Sequence, residues 1–372
     1  MNYFFKKTYK KIIQSIIKNT FLLSLIISLL ISGIITLYSA SHRNYHLILN
    51  QLIKIFFSFI IMLIISTIHP NKLKSISPYI YILGIILLII VIFFGTKKNG
   101  AKRWINLKLF QFQPSEIMKI AIPMMSIWYI DSIYNKPITI LNIFLIKIII
   151  LIPTILIFKE PDLGTAMIIF IPNFSIFFLI KISKKKILLI LLLPIFLIPI
   201  LWESMYNYQK QRLISLIFSN NHKNNKFYYH TIQSQIAIGS GGLFGKGWLK
   251  GSQSYLNFLP ERTTDFIFAV NCEEFGLFGG ESIIILITLI SIQSIYISKK
   301  NCNNYCKLLG TIITINFFIS SSINIGMVIG IFPITGIPLP LISYGGTSIT
   351  ISLISFGILM SINSYQTLFS NT

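Results

Sequence analysis

The sequence predicts an all-α membrane protein with about ten transmembrane helices and one long loop outside the membrane. Of the 372 residues, 54% are hydrophobic and only 11% are charged, which is too apolar a composition for a water-soluble core. Apolar runs of the roughly twenty residues needed to cross the hydrocarbon core recur along the whole chain. Basic residues lie mainly in the short segments between these runs, as in proteins whose orientation follows the positive-inside rule.

The predicted spans follow one another with short connections until the seventh. They fall near residues 20–39, 49–68, 77–95, 117–134, 139–158, 164–181, 187–203, 266–298, 307–332 and 345–365. The first is interpreted as an uncleaved helix, because it is longer than the apolar region of a signal peptide. Residues 204–265 are too polar to cross and form the long loop, within a single membrane domain of residues 1–372. If every window crosses, both termini are cytoplasmic and the long loop is periplasmic.

The formal charge of +22 does not indicate nucleic-acid binding, because no soluble basic face exists to carry it. One basic segment breaks the orientation pattern: residues 96–116, on the predicted outer side. Its basic residues are Lys97, Lys98, Lys102, Arg103 and Lys108. Such donors could bind an anionic headgroup or a pyrophosphate. Alternatively, the segment is amphipathic and its bases contact phospholipid headgroups; the two interpretations are compatible.

Acidic residues are scarce, and they concentrate where the long loop meets the eighth span. Of ten carboxylates in the chain, four lie between Glu261 and Glu274. Thr264 is predicted to cap this helix, which would place Asp265 in the first turn, where the helix dipole favours the ionised form. Asp265 is therefore a candidate general base or cation ligand, and helix capping alone is the alternative.

Two further groups of ionisable residues are predicted at the same outer rim. Pro114 and a capping Ser115 indicate a helix start just before Glu116, and Glu116 can pair with Lys119 three residues later. An ionisable residue inside a span favours function, although a structural ion pair is the alternative. Asp162 joins the fifth and sixth spans with almost no loop, so it is predicted at the same level.

Two glycine-rich segments are also notable. Residues 240–247 resemble a phosphate-binding loop, but Lys246 is followed by Gly247 and not by Ser or Thr, so a nucleotide site is not predicted. Their backbone could still offer N–H groups to a phosphate, or they could form tight turns only. Residues 332–348 are rich in Pro and Gly, and non-helical backbone at membrane depth indicates a protein-lined or water-filled cavity.

Several of these motifs together resemble the SEDS family of shape, elongation, division and sporulation proteins. The resemblance covers nearly the whole chain in order, and it is nearer to the rod-shape branch than to the division branch. The motifs are Ala101–Trp104, Gln113–Glu116, Pro161–Thr165, Ile238–Gly245, Phe258–Phe266 and Gly336–Gly346.

The resemblance implies a peptidoglycan glycosyltransferase that polymerises lipid II at the outer face of the cytoplasmic membrane during cell elongation. It also implies a class B penicillin-binding protein and other membrane proteins of the elongation complex as partners. Asp265 matches the essential aspartate of the family's Thr-Asp-Phe motif, and a divalent cation, Mg²⁺ or Mn²⁺, at Asp265 stays open. The expected substrate-binding residues are Arg103, Glu116, Lys119, Asp162, Lys210, Arg212 and Glu261. Lys210 stands where the family has Arg, which keeps the charge but loses bidentate phosphate geometry.

A lipid II flippase is the alternative from another functional class. Intramembrane ionisable residues and broken helices also mark transport paths. A transport route should carry polar residues toward both faces, whereas the predicted inner half of this chain is nearly bare. The asymmetry favours the enzyme.

Overall fold

The structure is a computed structural model, and the chain is helical over most of what it describes. It describes residues 2–98, 101–106, 111–133, 137–180, 182, 202–203, 205, 209–211, 214, 226–256, 258–259, 261–301 and 303–366. The helices are α1 (Asn2–Lys18), α2 (Thr20–Ala40), α3 (Tyr45–Ser66), α4 (Pro70–Phe94), α5 (Pro114–Ser132), α6 (Ile140–Lys159), α7 (Leu163–Phe174), α8 (Ile176–Leu179), α9 (Lys226–Gly241), α10 (Ser252–Tyr255), α11 (Ile267–Lys299), α12 (Asn304–Ile329) and α13 (Gly346–Ser364).

A small antiparallel sheet joins α4 to α5. Its strands are β1 (Thr96–Lys98), β2 (Ala101–Asn106) and β3 (Gln111–Phe112), in the order β1-β2-β3. The sheet occupies the basic segment that the sequence placed between the third and fourth spans. The side chain of Arg103 on β2 contacts the connection between α6 and α7. Lys108 lies outside the described residues.

Seven of the described helices are long and apolar enough to cross a membrane: α2, α3, α4, α6, α11, α12 and α13. Residues 163–179 form a shorter apolar helical stretch, and α5 occupies the fourth predicted window. The prediction of an all-α polytopic membrane protein is confirmed. The predicted span 187–203 lies almost entirely outside the described residues, so the number ten stays a prediction.

The helices form one bundle whose centre is α12 and whose periphery includes α3. Of the seven long apolar helices, α12 is the most buried and α3 the least. Leu22, Ile26 and Leu29 of α2 are fully buried. Phe56 and Phe57 of α3, in contrast, are mostly exposed. An exposed apolar face on a helix of this length is the surface expected to meet lipid.

Several connections meet at one end of the bundle, which we call the site end. There the guanidinium of Arg262 donates to the carbonyl of Ala40 at the end of α2 (2.6 Å). Arg103 of β2 donates to the carbonyl of Pro161 between α6 and α7 (2.6 Å). At the opposite end, Lys74 and Asp131 form an ion pair between α4 and α5. Apart from that pair, the charged contacts described below lie at the site end.

Candidate active site

Asp265 lies in a turn directly before α11. Residues 261–266 form this turn, and the helix begins at Ile267. The predicted cap by Thr264 is wrong: its hydroxyl donates to the Glu261 carboxylate (3.0 Å), and the residue at the cap position, Phe266, makes no side-chain cap bond. Thr264 is committed to the turn because Glu261 lies within its reach. Asp265 consequently precedes the first turn of the helix instead of belonging to it.

The Pro- and Gly-rich segment between α12 and α13 holds this turn in place. The hydroxyl of Ser343 donates to the carbonyl of Thr264 (2.5 Å), and the N–H of Tyr344 donates to the carbonyl of Thr263 (2.9 Å). The same hydroxyl accepts the N–H of Leu339 (2.8 Å), which closes the segment on itself. A side chain carried by so restrained a backbone is positioned before any substrate arrives.

A polar stripe on α12 connects the Asp265 turn to α5. The amide of Asn324, which is fully buried, donates to the carbonyls of Asp265 (3.0 Å) and Ile337 (2.6 Å). The amide of Asn316 donates to the carbonyl of Lys119 (2.9 Å). Eight residues along a helix correspond to about 12 Å. Helix α12 therefore holds the backbones of Lys119 and Asp265 at a set distance from each other.

The predicted ion pair on α5 is present. Glu116, which is buried, accepts from the ammonium of Lys119 at 2.6 Å. The predicted cap by Ser115 is wrong: the helix begins two residues before Glu116, at Pro114, and the cap position is Gln113, which makes no side-chain cap bond. The side-chain amide of Gln113 does not bond to the helix but donates toward the Asp162 carboxylate (3.4 Å).

Asp162 links three elements at the site end. One of its oxygens accepts the N–H of Thr165 (3.1 Å) and so caps α7. The other lies 3.4 Å from the Gln113 amide and 3.5 Å from Nε of Arg103. The sequence predicted Asp162 at the level of the start of α5, and the Gln113 contact agrees with that; the contact with Arg103 was not predicted. The capping bond was not anticipated, although Asp three residues before Thr165 is a typical capping pattern.

Glu160 is a buried acid that the sequence analysis did not single out. Its carboxyl is almost fully buried, and neither oxygen has a hydrogen-bond partner among the described residues. Burial, with a smaller contribution from the nearby Asp162 and against the opposing effect of Arg103, raises the pKa of Glu160 to about 9. The sequence did contain a sign of this buried acid. Glu160 lies two residues before Asp162, in a connection between two spans that is too short to expose both carboxyls.

The segment between α12 and α13 also joins Asp265 to the α7 side of the site. A Cβ atom built on Gly164 would lie only 2.5 Å from the carbonyl oxygen of Thr335, so α7 packs directly on this segment. One residue later, a Cβ on Gly336 would lie 3.7 Å from a carboxylate oxygen of Asp265. The two acids, Asp162 and Asp265, thus flank the same stretch of backbone.

The acids further along α11 serve another purpose. The N–H groups of Lys246 and Gly247 donate to the carbonyls of Glu273 and Glu274, both at 3.0 Å. The glycine-rich segment is therefore closed against α11, and these N–H groups are already used. Tight turns, and not a phosphate cradle, are the interpretation that this bonding favours. Glu273 and Glu274 consequently do not belong to the cluster around Asp265, contrary to the grouping of acids in the sequence analysis.

Three predicted binding residues remain. Glu261 is exposed and shapes the Asp265 turn, because its carbonyl accepts the N–H of Phe266 (3.1 Å). Lys210 lies with its ammonium 5.9 Å from the ring centroid of Trp202, and no hydrogen bond or ion pair within the described residues joins it to the cluster. Arg212 lies outside the described residues.

The described residues contain no group of three His, Cys, Asp or Glu side chains suited to one metal ion. Mg²⁺ is often held by one or two carboxylates together with substrate phosphates. Within the described residues, a cation at Asp265 would therefore need substrate phosphates as its other ligands.

Known proteins with the same architecture were found at both sequence and structure level. The family model of FtsW, RodA and SpoVE, described as a cell cycle protein, matches residues 11–368. The peptidoglycan glycosyltransferase MrdB of Escherichia coli (strain K12) is 38% identical over 339 residues, which cover 91% of each chain. The peptidoglycan glycosyltransferase RodA of Treponema pallidum (strain Nichols) is 32% identical over 412 residues, with 90% of this chain and 94% of the relative covered.

Two solved structures share the fold. One is a chain of a peptidoglycan synthase complex that coordinates polymerization and crosslinking, with a TM-score of 0.81, 23% identity, and 93% of this chain and 98% of that chain covered. The other is the rod shape determining protein RodA of Thermus thermophilus, with a TM-score of 0.71, 23% identity, and coverage of 93% and 96%. The expected resemblance to the rod-shape branch is confirmed, and this multi-pass bacterial membrane protein belongs to the FtsW, RodA and SpoVE family.

Proposed function

We propose that this chain is a peptidoglycan glycosyltransferase that polymerises lipid II, with Asp265 as its catalytic residue. The observation that carries the proposal is the fixed position of Asp265. Its turn is bonded to the segment before α13, its own carbonyl accepts from Asn324 of α12, and its carboxylate lies beside Gly336. Such restraint is typical of a carboxylate that must meet a substrate in one geometry. The names of the family members fit this activity.

The reaction joins two sugars and releases a polyprenyl pyrophosphate. A new bond forms between O4 of the acceptor GlcNAc and C1 of the donor MurNAc, while the bond from C1 to the pyrophosphate oxygen breaks. The acceptor hydroxyl must lose its proton, and in this proposal the carboxylate of Asp265 receives it. The leaving pyrophosphate carries away the bonding electrons, so it needs stabilisation by positive charge.

Arg103 and Lys119 are the proposed sources of that positive charge. Each has an acid beside it, Asp162 at 3.5 Å from Arg103 and Glu116 at 2.6 Å from Lys119. The acids orient the two cations and neutralise them while the substrate is absent. Because Arg103 belongs to the sheet and Lys119 to α5, the two cations approach from different elements, as a clamp on a pyrophosphate requires. Lys210 and Arg212 stay proposed as further cationic residues, and Glu261 as a residue that shapes the Asp265 turn.

A divalent cation at Asp265 is an open variant of this mechanism. If Asp265 held such a cation, the cation would supply positive charge that stabilises the leaving group. Asp265 would then act as its ligand, and the acceptor proton would need another base. Chelation of the purified chain separates the two roles: a ligand role predicts loss of activity that Mg²⁺ or Mn²⁺ restores, whereas a base role predicts no change.

The proposal includes an orientation and a partner. The site end faces the periplasm, both termini are cytoplasmic, and the chain works with a class B penicillin-binding protein in the elongation complex. In support, one fold neighbour is part of a complex for polymerization and crosslinking. The orientation can be tested with single cysteines at Asn106, exposed on β2, and Asn71, exposed at the other end, in a chain without native cysteines. A membrane-impermeant thiol reagent applied from the periplasmic side should label only the first.

The decisive experiment is polymerisation of purified lipid II by the purified chain, alone and together with its penicillin-binding partner. Glycan strands separated by size on a gel are the expected product. In parallel, fluorescent lipid II in vesicles containing the chain reports movement between leaflets. Movement without glycan synthesis under either condition would refute the glycosyltransferase and favour the flippase.

A further inference from the structure

Glu160 is a buried carboxyl to which the proposed mechanism gives no task. It follows the last residue of α6, and only 2% of its surface is exposed. No described residue donates a hydrogen bond to either of its side-chain oxygens. An ionised carboxylate in such a place carries a large desolvation penalty that only partners could offset. With no donor on either oxygen, the neutral acid is the form that this position favours.

Among the described residues, two charged side chains act on Glu160, namely Asp162 and Arg103. The Asp162 carboxylate has donors beside it, the N–H of Thr165 at 3.1 Å and the Gln113 amide at 3.4 Å. Within the same part of the chain, the Glu160 oxygens have none. Two neighbouring carboxyls do not readily both ionise, and a carboxyl without donors is the one that keeps its proton.

Arg103 lies beside Asp162 but is only loosely bound by it. One of its terminal nitrogens donates to the carbonyl of Pro161 (2.6 Å). Its Nε is 3.5 Å from Asp162 and makes no hydrogen bond. Among the described residues, the two-point pairing typical of Arg with a carboxylate does not form here. Most of the five N–H donors of the guanidinium are therefore not engaged by these acids.

We propose that Glu160 is a positioning residue that holds a proton at neutral pH and thereby leaves the Arg103 guanidinium available for the phosphate groups of the lipid-linked substrate. This inference rests on the proposed function. If Glu160 lost its proton, a second carboxylate would lie beside Arg103 and would compete with the substrate for its donors. The protonated acid also keeps the net charge of the Arg103 group from becoming negative.

The proton itself can be observed without any turnover. In infrared spectra of the purified chain, the carbonyl stretch of a protonated carboxylic acid should be present at neutral pH and disappear as the pH rises through about 9. Its intensity should fall in Glu160→Gln and stay unchanged in Glu203→Gln, a matched change of an exposed acid at the start of the long loop. A wild-type spectrum without this band at neutral pH would overturn the inference, whether or not the chain polymerises lipid II.

The consequence for Arg103 is measured as substrate affinity. The KM of the wild type for lipid II should rise about tenfold between neutral pH and a pH above about 9, the effect of losing one charge-assisted contact. In Glu160→Gln the ratio of the two KM values should stay near one, while Glu281→Gln should follow the wild type. Equal ratios in the wild type and Glu160→Gln would refute the positioning role even if the proton is present.

Discussion

The acids of α11 and the acids around Asp265 lie at the same end of the bundle but are bonded in different ways. Glu273 is fully buried, and one of its oxygens accepts from Lys246 Nζ (2.7 Å), Ser252 Oγ (3.0 Å) and the N–H of Gln253 (3.0 Å). All three donors come from one stretch of chain, residues 246–253. Glu274 adds a bond to Ser39 of α2. This pair fastens a loop to a helix.

The charged groups around Asp265 come from many elements instead. Arg103 belongs to β2, Lys119 to α5, Asp162 to the start of α7, and Asp265 to the turn before α11. Their backbones are tightly bonded, while Arg103 and Asp162 meet only at 3.5 Å. A high local density of acids therefore does not identify a site. The donors of Glu273 all come from one loop, which indicates a structural role, whereas the charges around Asp265 come from separate elements, and the pair of Arg103 with Asp162 is loose.

The largest expected effect is that of Asp265→Asn. The amide keeps the size of the side chain but removes both the proton acceptor and the negative charge. We expect normal accumulation in membranes, retained binding of the penicillin-binding partner and almost no glycan. The measurement is polymerisation of lipid II by the purified variant. Activity equal to that of the wild type would exclude Asp265 from the mechanism and would favour the flippase.

The second largest effect is expected from loss of the cations Arg103 and Lys119. Arg103→Ala or Lys119→Ala removes one charge-assisted contact to the leaving pyrophosphate, worth roughly 1.5–3 kcal/mol, or about tenfold to a hundredfold in polymerisation rate. Both variants should still insert and fold. Lys246→Ala is the matched control from the other group, and it should change the rate least. Full activity of both Arg103→Ala and Lys119→Ala would leave the basic segment as a headgroup contact only.

On the structural side of the comparison, Glu273→Gln should lower stability more than activity. The change weakens the bonds to Lys246, Ser252 and Gln253, and a charged hydrogen bond contributes about 1.5–3 kcal/mol. The midpoint of thermal unfolding in detergent measures the loss. Glu281→Gln, at an exposed position of the same helix, should stay within about 0.5 kcal/mol of the wild type. A Glu273→Gln variant as stable as the wild type but inactive would instead place Glu273 in the site.

A pH dependence of stability is also expected. Burial raises the pKa of Glu160 from 4.5 to about 9, so the folded chain binds this proton more tightly than the unfolded chain. The stability from Glu160 is therefore fully present below about pH 4.5 and is lost as the pH rises toward about 9. As the pH rises over this range, the thermal midpoint of the wild type should fall relative to that of Glu160→Gln, which has no proton to lose at this position. A constant gap would contradict the buried proton.

By itself the sequence determined the membrane class, most of the helices and the motifs that carry the charged residues. Apolar runs of spanning length have few alternatives in a bilayer, because every backbone polar group must be satisfied within the helix. The pairing of Glu116 with Lys119 was equally accessible, since residues three apart on a helix share a face.

Only the tertiary structure decided which acids work together. Thr264 was expected to cap α11, but Glu261 lies close enough to take its hydroxyl. Glu273 was grouped with Asp265 from eight residues away, yet the kink at Gly276 and the folding back of residues 242–247 direct it to a different partner. Glu160 keeps its proton because it is buried beside Asp162, and the residues that bury it come from distant parts of the chain. Contacts between distant segments set burial and donor supply, and no local pattern contains that information.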